Sequence, residues 1–167
     1  MQTVLMSRST SSPEMALAGY APDAAYWPHP CTQESHADHQ FVAMLNGYRG
    51  SGGLARADEV LKVLKRHSEA HVARLARWIV KRKVICFEWR SQTWLPWFQF
   101  DRFDTTPQPE LGPVFTELTP IFDPWELANW FAQPNPWLAD CTPVETLRVD
   151  PAAVLQAARA DHFIAAG

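Results

Sequence analysis

Residues Trp125 to Leu147 read WELANWFAQPNPWLADCTPVETL, and this stretch sets the architecture of the C-terminal third. Three helix starts lie in it or at its borders: Asp123-Pro124-Trp125-Glu126, Thr142-Pro143-Val144-Glu145 and Asp150-Pro151. Each puts a capping side chain directly before a proline. An Asp or Thr at the N-cap accepts a hydrogen bond from an orphan backbone N–H of the first turn. Proline loses nothing at the first helical position, because its N–H would have had no partner. Glu126 and Glu145 stand three residues after their caps, where a carboxylate can reach back to the cap's own N–H. The first of these helices must end near Gln133, since Pro134 and Pro136 cannot continue it. The expectation is three short helices with fixed corners.

Downstream, Val154, Leu155, Ala158 and His162 share one face of the third helix. The chain then runs out through Phe163-Ile164-Ala165-Ala166-Gly167 without a charged side chain. An apolar end of this kind calls for a surface to sit against, and its carboxylate suits a basic pocket or a nest of backbone N–H groups. Upstream, Val114, Phe115 and Leu118 suit a helix that stops at Pro120, and Asp101 to Pro109 is a polar connection. Before it, Ile85, Phe87 and Trp89 alternate with Cys86 and Glu88, a strand signal over Val84 to Arg90. Ser91-Gln92 is the expected turn. Thr93 to Phe100 is the second strand, which Pro96 would confine to a sheet edge.

Two helices precede the hairpin. Leu54 opens the first, with Ala57, Val60, Leu61 and Leu64 at helical spacing. Ser68 can cap the second, in which Val72, Leu75, Ala76 and Ile79 form the apolar stripe. Arg74, Arg77 and Lys81 fall at i, i+3 and i+7, on a different face. Two short helices, the second with a basic face, match a helix-turn-helix, and the following hairpin makes the order winged-helix-like. A small α+β module that only packs on the C-terminal domain fits the same pattern. Residues 1–52 are expected to be a largely disordered tail, rich in Ser, Pro, Ala and His. Within it, Phe41 to Tyr48 suits a short helix and Gly50-Ser51-Gly52-Gly53 a flexible joint. Segment 53–103 is then the helix-turn-helix and hairpin module, and 104–167 a small all-helical domain. The fold class is α+β, mainly α.

Charge is divided along the chain. From Leu54 to Arg90 there are ten Lys/Arg and four acids, a local charge of +6, against an overall −3. Such asymmetry suggests one part that meets anions and another that meets something else. Arg74, Arg77, Lys81, Arg82 and Lys83 are the candidate phosphate contacts. No apolar run approaches the ~20 residues of a membrane span, and nothing reads as a signal peptide. Three widely spread cysteines point to reduced thiols in a cytoplasmic protein.

No enzyme signature is present: no Walker loop, no Gly-x-Ser-x-Gly, no His-Glu-x-x-His. Cys31, His36 and His39 match no zinc spacing and lack a fourth ligand. Cys86 reads as a small buried hydrophobe in a strand. Cys141 with His162 is the one nucleophile–base pairing on offer, and it needs hydrogen-bond geometry that spacing does not supply. No metal or cofactor is expected.

The stretch from Trp125 to Leu147 resembles the toxin-binding domain of the Xre/MbcA/ParS antitoxins. Their W-(L/F)-x-x-P-N-x-x-L-x-G-x-x-P-x-(D/E)-x-L core is matched by Trp130, Phe131, Pro134, Asn135, Leu138, Pro143, Glu145 and Leu147. Asp140 stands where the family usually has Gly, and Asp tolerates the left-handed conformation better than most residues. The run Trp94-Leu95-Pro96-Trp97-Phe98-Gln99-Phe100-Asp101 is similar to a stretch that precedes the domain in some members. The resemblance spans roughly Leu54 to Gly167. It implies a cytoplasmic antitoxin that neutralises a RES-type, NAD-consuming toxin with its C-terminal end, binds operator DNA through its upstream part, and assembles as a homo-oligomer. The partner surface is then Trp130, Pro134, Asn135, Trp137, Leu138, Pro143, His162, Phe163 and Gly167, with the Pro134-Asn135 corner as its structural support. For most of the tryptophans and Phe131, core packing is the competing reading. The alternative function is a stand-alone DNA-binding regulator whose C-terminal domain dimerises.

Overall fold

A computed structural model describes residues 31–67 and 69–167, the side chains of 31–35 and 67–71 aside. What was expected of residues 1–30 lies outside the described residues. The rest is mainly helical with one small antiparallel sheet. In order come α1 (Cys31–Gly47), β1 (Leu54–Arg56), α2 (Ala57–His67), α3 (Glu69–Val80), β2 (Phe87–Trp89), β3 (Gln92–Pro96), α4 (Leu111–Leu118), α5 (Pro124–Ala132), α6 (Pro143–Thr146) and α7 (Pro151–Ala166).

The three capped starts form as the sequence requires. The Asp123 carboxylate accepts from the Glu126 N–H and the Glu126 carboxylate accepts from the Asp123 N–H, a full capping box. Thr142 accepts from the Glu145 N–H and Asp150 from the Ala153 N–H. Glu145 does not reach its cap's N–H; its Oε2 accepts from the Thr142 hydroxyl at 2.7 Å instead. Proline stands at the first turn of α5, α6 and α7.

The segment 31–52 departs from the expected tail. Phe41, Met44 and Tyr48 recur at helical spacing and are buried in the main core. The Tyr48 hydroxyl donates to the Ala128 carbonyl of α5, and the Trp125 indole N–H donates to Gln40 at 3.0 Å. Gly47 makes the approach of α1 to α5 possible. A Cβ there would sit 2.6 Å from the Ala132 carbonyl oxygen, closer than a side chain is tolerated.

The sheet also differs from the expected hairpin. Leu54 opens a strand, not a helix: β1 pairs with β3 through Leu54–Pro96, Ala55–Leu95 and Arg56–Trp94. The strand order is β1-β3-β2, so β3 is central and Pro96 does not mark an edge. Pro96 instead ends β3, and the next N–H, that of Trp97, bonds the Gly53 carbonyl at 2.9 Å. The second strand is accordingly shorter than Thr93 to Phe100, and Trp97–Gln99 turns into a 3-10 helix. Arg90 and Ser91 form the hairpin turn, both at positive φ (46° and 58°), as a two-residue type I′ connection demands.

Alternation along the strands gives the sheet two packed faces. Trp94 and Phe87 turn to the large core with α1, α4, α5, α6 and α7. Ala55 and Leu95 turn to a smaller core made with Val60, Leu64 and Leu75 of α2 and α3. The large core thus draws on all of the segments 1–52, 53–103 and 104–167. Gln99 is wholly buried where the sheet meets this core. Its side-chain amide pairs with both backbone groups of Ile85, accepting from the N–H at 2.6 Å and donating to the carbonyl at 2.9 Å.

Candidate partner-binding surface

Asn135 closes the corner between α5 and α6. Its side-chain oxygen accepts from the Trp137 N–H at 2.9 Å, and its carbonyl accepts from the N–H groups of Leu138 and Asp140. Its own N–H donates to the Cys141 carbonyl. The corner can turn this tightly because Ala139 and Asp140 both lie in the left-handed region, at φ 52° and 62°. Asp at the second of these positions bears the conformation with less cost than a branched residue would.

The corner serves a carboxylate from another element. Asp161 on α7 accepts from the Trp130 indole N–H at 2.7 Å and from the Asn135 amide at 3.1 Å, both on Oδ2. Its Oδ1 accepts from the Trp137 indole N–H at 3.0 Å. Three donors from the α5–α6 segment therefore converge on one side chain and fix the direction in which α7 leaves the core. Asp161 was not among the expected site residues. A signal existed: Ala157, Ala158 and Asp161 fall at inward spacing on α7, and an acid on an inward stripe needs donors to face it.

One turn of contacts on the other side holds the same region of α7. Glu117 of α4 lies 3.0 Å from His162 Nδ1 and 3.3 Å from Arg159 Nε. The hydrogen bond from His162, then that from Arg159, holds the Glu117 carboxyl below its ordinary value. His162 therefore faces α4, and the suggested Cys141–His162 pair does not form. Cys141 is exposed. Cys86 lies just before β2 and is half-buried; burial, then the charge of Glu88, pushes its thiol up.

Beyond Asp161 the helix projects. Phe163 is 80% and Ile164 66% exposed, and Trp137 beside the clamp is 57% exposed. Of the expected partner residues, Trp130, Asn135 and Trp137 come together around Asp161. Phe163 and Gly167 lie exposed at the tip of α7, and Pro134 is exposed on the corner. Leu138 and Pro143 do not belong to this surface: both are buried, Leu138 in the main core and Pro143 at the first position of α6.

The basic residues do not share one helix face. Arg74 and Arg77 are exposed on α3, but α3 ends at Val80 and Lys81 lies beyond it. Arg82 sits at φ 49° and donates through Nη1 to the Thr119 carbonyl at 2.9 Å. Position 68, between α2 and α3, lies outside the described residues, and with it the Ser68 cap expected for α3.

Among the described residues no group of three His, Cys, Asp or Glu is placed to hold a metal ion, and no helix is long and apolar enough to cross a membrane. Comparison of the chain with protein-family models, with curated proteins and with solved structures gives no match.

Proposed function

We propose that this chain is an antitoxin-like binding protein that captures a partner toxin with the projecting end of α7 and acts in the cytoplasm. The carrying observation is the pairing of a clamped root with an apolar tip. Asp161 is held by three donors, and directly after it Phe163 and Ile164 stand free. Holding large apolar side chains in water on an ordered helix is unfavourable unless a partner removes them from it, and a pre-ordered helix loses little entropy on docking. The resemblance to the toxin-binding domain of Xre/MbcA/ParS antitoxins supports a toxin as that partner, and a RES-type, NAD-consuming enzyme as its class.

Removing Phe163 to Gly167, or replacing Phe163 and Ile164 by Asp, is expected to abolish rescue of cells that express the partner toxin. The melting temperature should stay near that of the parent, since every Asp161 contact is retained. Full rescue by the Phe163→Asp, Ile164→Asp variant would overturn the reading. If the same variant instead converts a dimer to a monomer in sedimentation while rescue is never seen, the regulator that dimerises through this end is the better account.

Binding of operator DNA is the second part of the reading. Arg74 and Arg77 support it: both are exposed, and among the described residues neither forms an ion pair. The order helix, strand, helix, helix, hairpin also suits a winged helix. Each phosphate contact releases counterions and contributes about −0.9 to the log–log salt slope. Arg74→Ala with Arg77→Ala is expected to weaken the gel-shift affinity for the promoter region across sequences and to flatten that slope. An unchanged slope and affinity would remove DNA from the α3 face.

A further inference from the structure

Trp78, Lys81, Arg82 and Lys83 form one wall of a surface cleft of about 630 Å³ that is open to solvent and bordered across from them by segment 106–109 and by α4. That volume lies within the range of about 300–1,000 Å³ in which small ligands are held. Among the described residues, none that lines it is acidic. Arg74 and Arg77 line no part of it, so the cations of the cavity are a group separate from those on the α3 face.

The basic wall is fixed by the way α3 ends. The Lys83 N–H bonds the Trp78 carbonyl at 2.8 Å and the Arg82 N–H bonds the Ile79 carbonyl at 3.0 Å. These are the two bonds of a Schellman motif, whose left-handed position is usually glycine. Here Arg82 occupies it, at φ 49°. Backbone strain kept at a non-glycine residue points to a use for its side chain. Arg82 Nη1 spans to the Thr119 carbonyl of the opposite wall at 2.9 Å. That contact takes one of the five guanidinium donors and orients the others. Lys81 and Lys83 flank it in sequence, and among the described residues neither is ion-paired.

We propose that this cavity binds a small organic phosphate of the nucleotide class, with its phosphates on Lys81, Arg82 and Lys83 and its flat ring against Trp78. A guanidinium matches a phosphate with paired donors, and lysines add point charge. The indole supplies a stacking face for a ring. The site is independent of the α7 tip and stands or falls without it.

Titration calorimetry of the full chain with ADP, inorganic phosphate, adenosine and a duplex oligonucleotide tests this. ADP is expected to bind, and both phosphate and adenosine alone to bind more weakly. Arg82→Gly should weaken ADP by about tenfold or more, the loss of a charged hydrogen bond, with the melting temperature held or raised because glycine relieves the strained turn. Lys81→Ala with Lys83→Ala, at exposed positions, should weaken ADP likewise, and carries the test if Arg82→Gly does not fold. Arg74→Ala with Arg77→Ala should leave ADP binding unchanged. The proposal is overturned if ADP does not bind, or if inorganic phosphate binds as tightly as ADP. It is also overturned if Arg82→Gly lowers the melting temperature and leaves ADP binding intact, which would make Arg82 a structural strut. Equal loss from the Arg74, Arg77 variant would show a diffuse field and no site, and duplex binding through Lys81 and Lys83 without ADP binding would assign these residues to nucleic acid.

Discussion

Asp161→Ala is expected to destabilise the protein by about 3 kcal/mol, because it removes one acceptor from three donors at once. A hydrogen bond to a charged group contributes about 1.5–3 kcal/mol, but the three do not add. Trp137 is exposed and its indole N–H can turn to water. Trp130 is half-buried and Asn135 is 5% exposed, so their donors lose a partner that water replaces poorly. Asn135 also holds the corner from within, through the Trp137 N–H and the Cys141 carbonyl, so the loss spreads into the α5–α6 connection. Urea unfolding of the variant gives the number directly. Asp161→Asn keeps the shape and one good acceptor, and should fall between the two. A loss under about 0.5 kcal/mol would mean that water satisfies all three donors, since exposed hydrogen bonds are exchanged at little cost. Partner capture should weaken in the same variant, for α7 would no longer leave the core in one direction.

The second large effect is expected at Gln99. Gln99→Leu preserves most of the volume and removes both bonds to Ile85. Ile85 is 2% exposed, so its N–H and carbonyl would be left buried with no replacement. Each buried group abandoned in this way costs about 1–3 kcal/mol, which puts the variant about 3 kcal/mol below the parent. The gain from a more apolar side chain does not offset this, because the orphaned groups are backbone and cannot move to water without opening the segment 84–87. Hydrogen exchange should show the Ile85 amide losing protection ahead of β3. Stability within about 0.5 kcal/mol of the parent would mean that the segment relaxes and finds other partners.

The starts of α5, α6 and α7 were legible because a cap, a proline and a carboxylate act within four residues. The Asp123 box, the Thr142 cap and the Asp150 cap therefore appear where local chemistry puts them. What failed to show was whatever depends on a distant partner. β1 has only three residues and runs directly into the stripe of α2, and its partner β3 lies about forty residues on, so its alternation was absorbed into a helix. α1 is mostly polar, and the burial of Phe41, Met44 and Tyr48 is decided by α5 and the sheet. Pro96 suggested an edge because a missing N–H matters most in mid-strand, whereas here it falls at the strand's last residue. Lys81 was placed on the α3 face because nothing in Val80-Lys81-Arg82-Lys83 announces a helix end; the stop uses arginine where glycine would have signalled it. Around the candidate surface, Trp130, Asn135 and Trp137 were named in advance and the acid they share was not: the inward place of Asp161 on α7 marked it as needing donors, but which donors meet it is decided by how α7 packs on the α5–α6 corner.

The hydroxyl of Tyr48 and its acceptor at Ala128 are 80 residues apart in sequence. During synthesis at roughly 5–20 residues per second, the apolar stripe of α1 leaves the ribosome about 4–16 s before α5 exists to cover it. Through that interval Phe41 can meet only Trp89 and Trp94, and Tyr48 only Phe98, while the α5 side of the stripe stays open. The helix that looked like a tail in the sequence is thus completed late, and a nascent chain stalled before residue 128 leaves its α5-facing side, with the Tyr48 hydroxyl, without the partner it has in the finished fold.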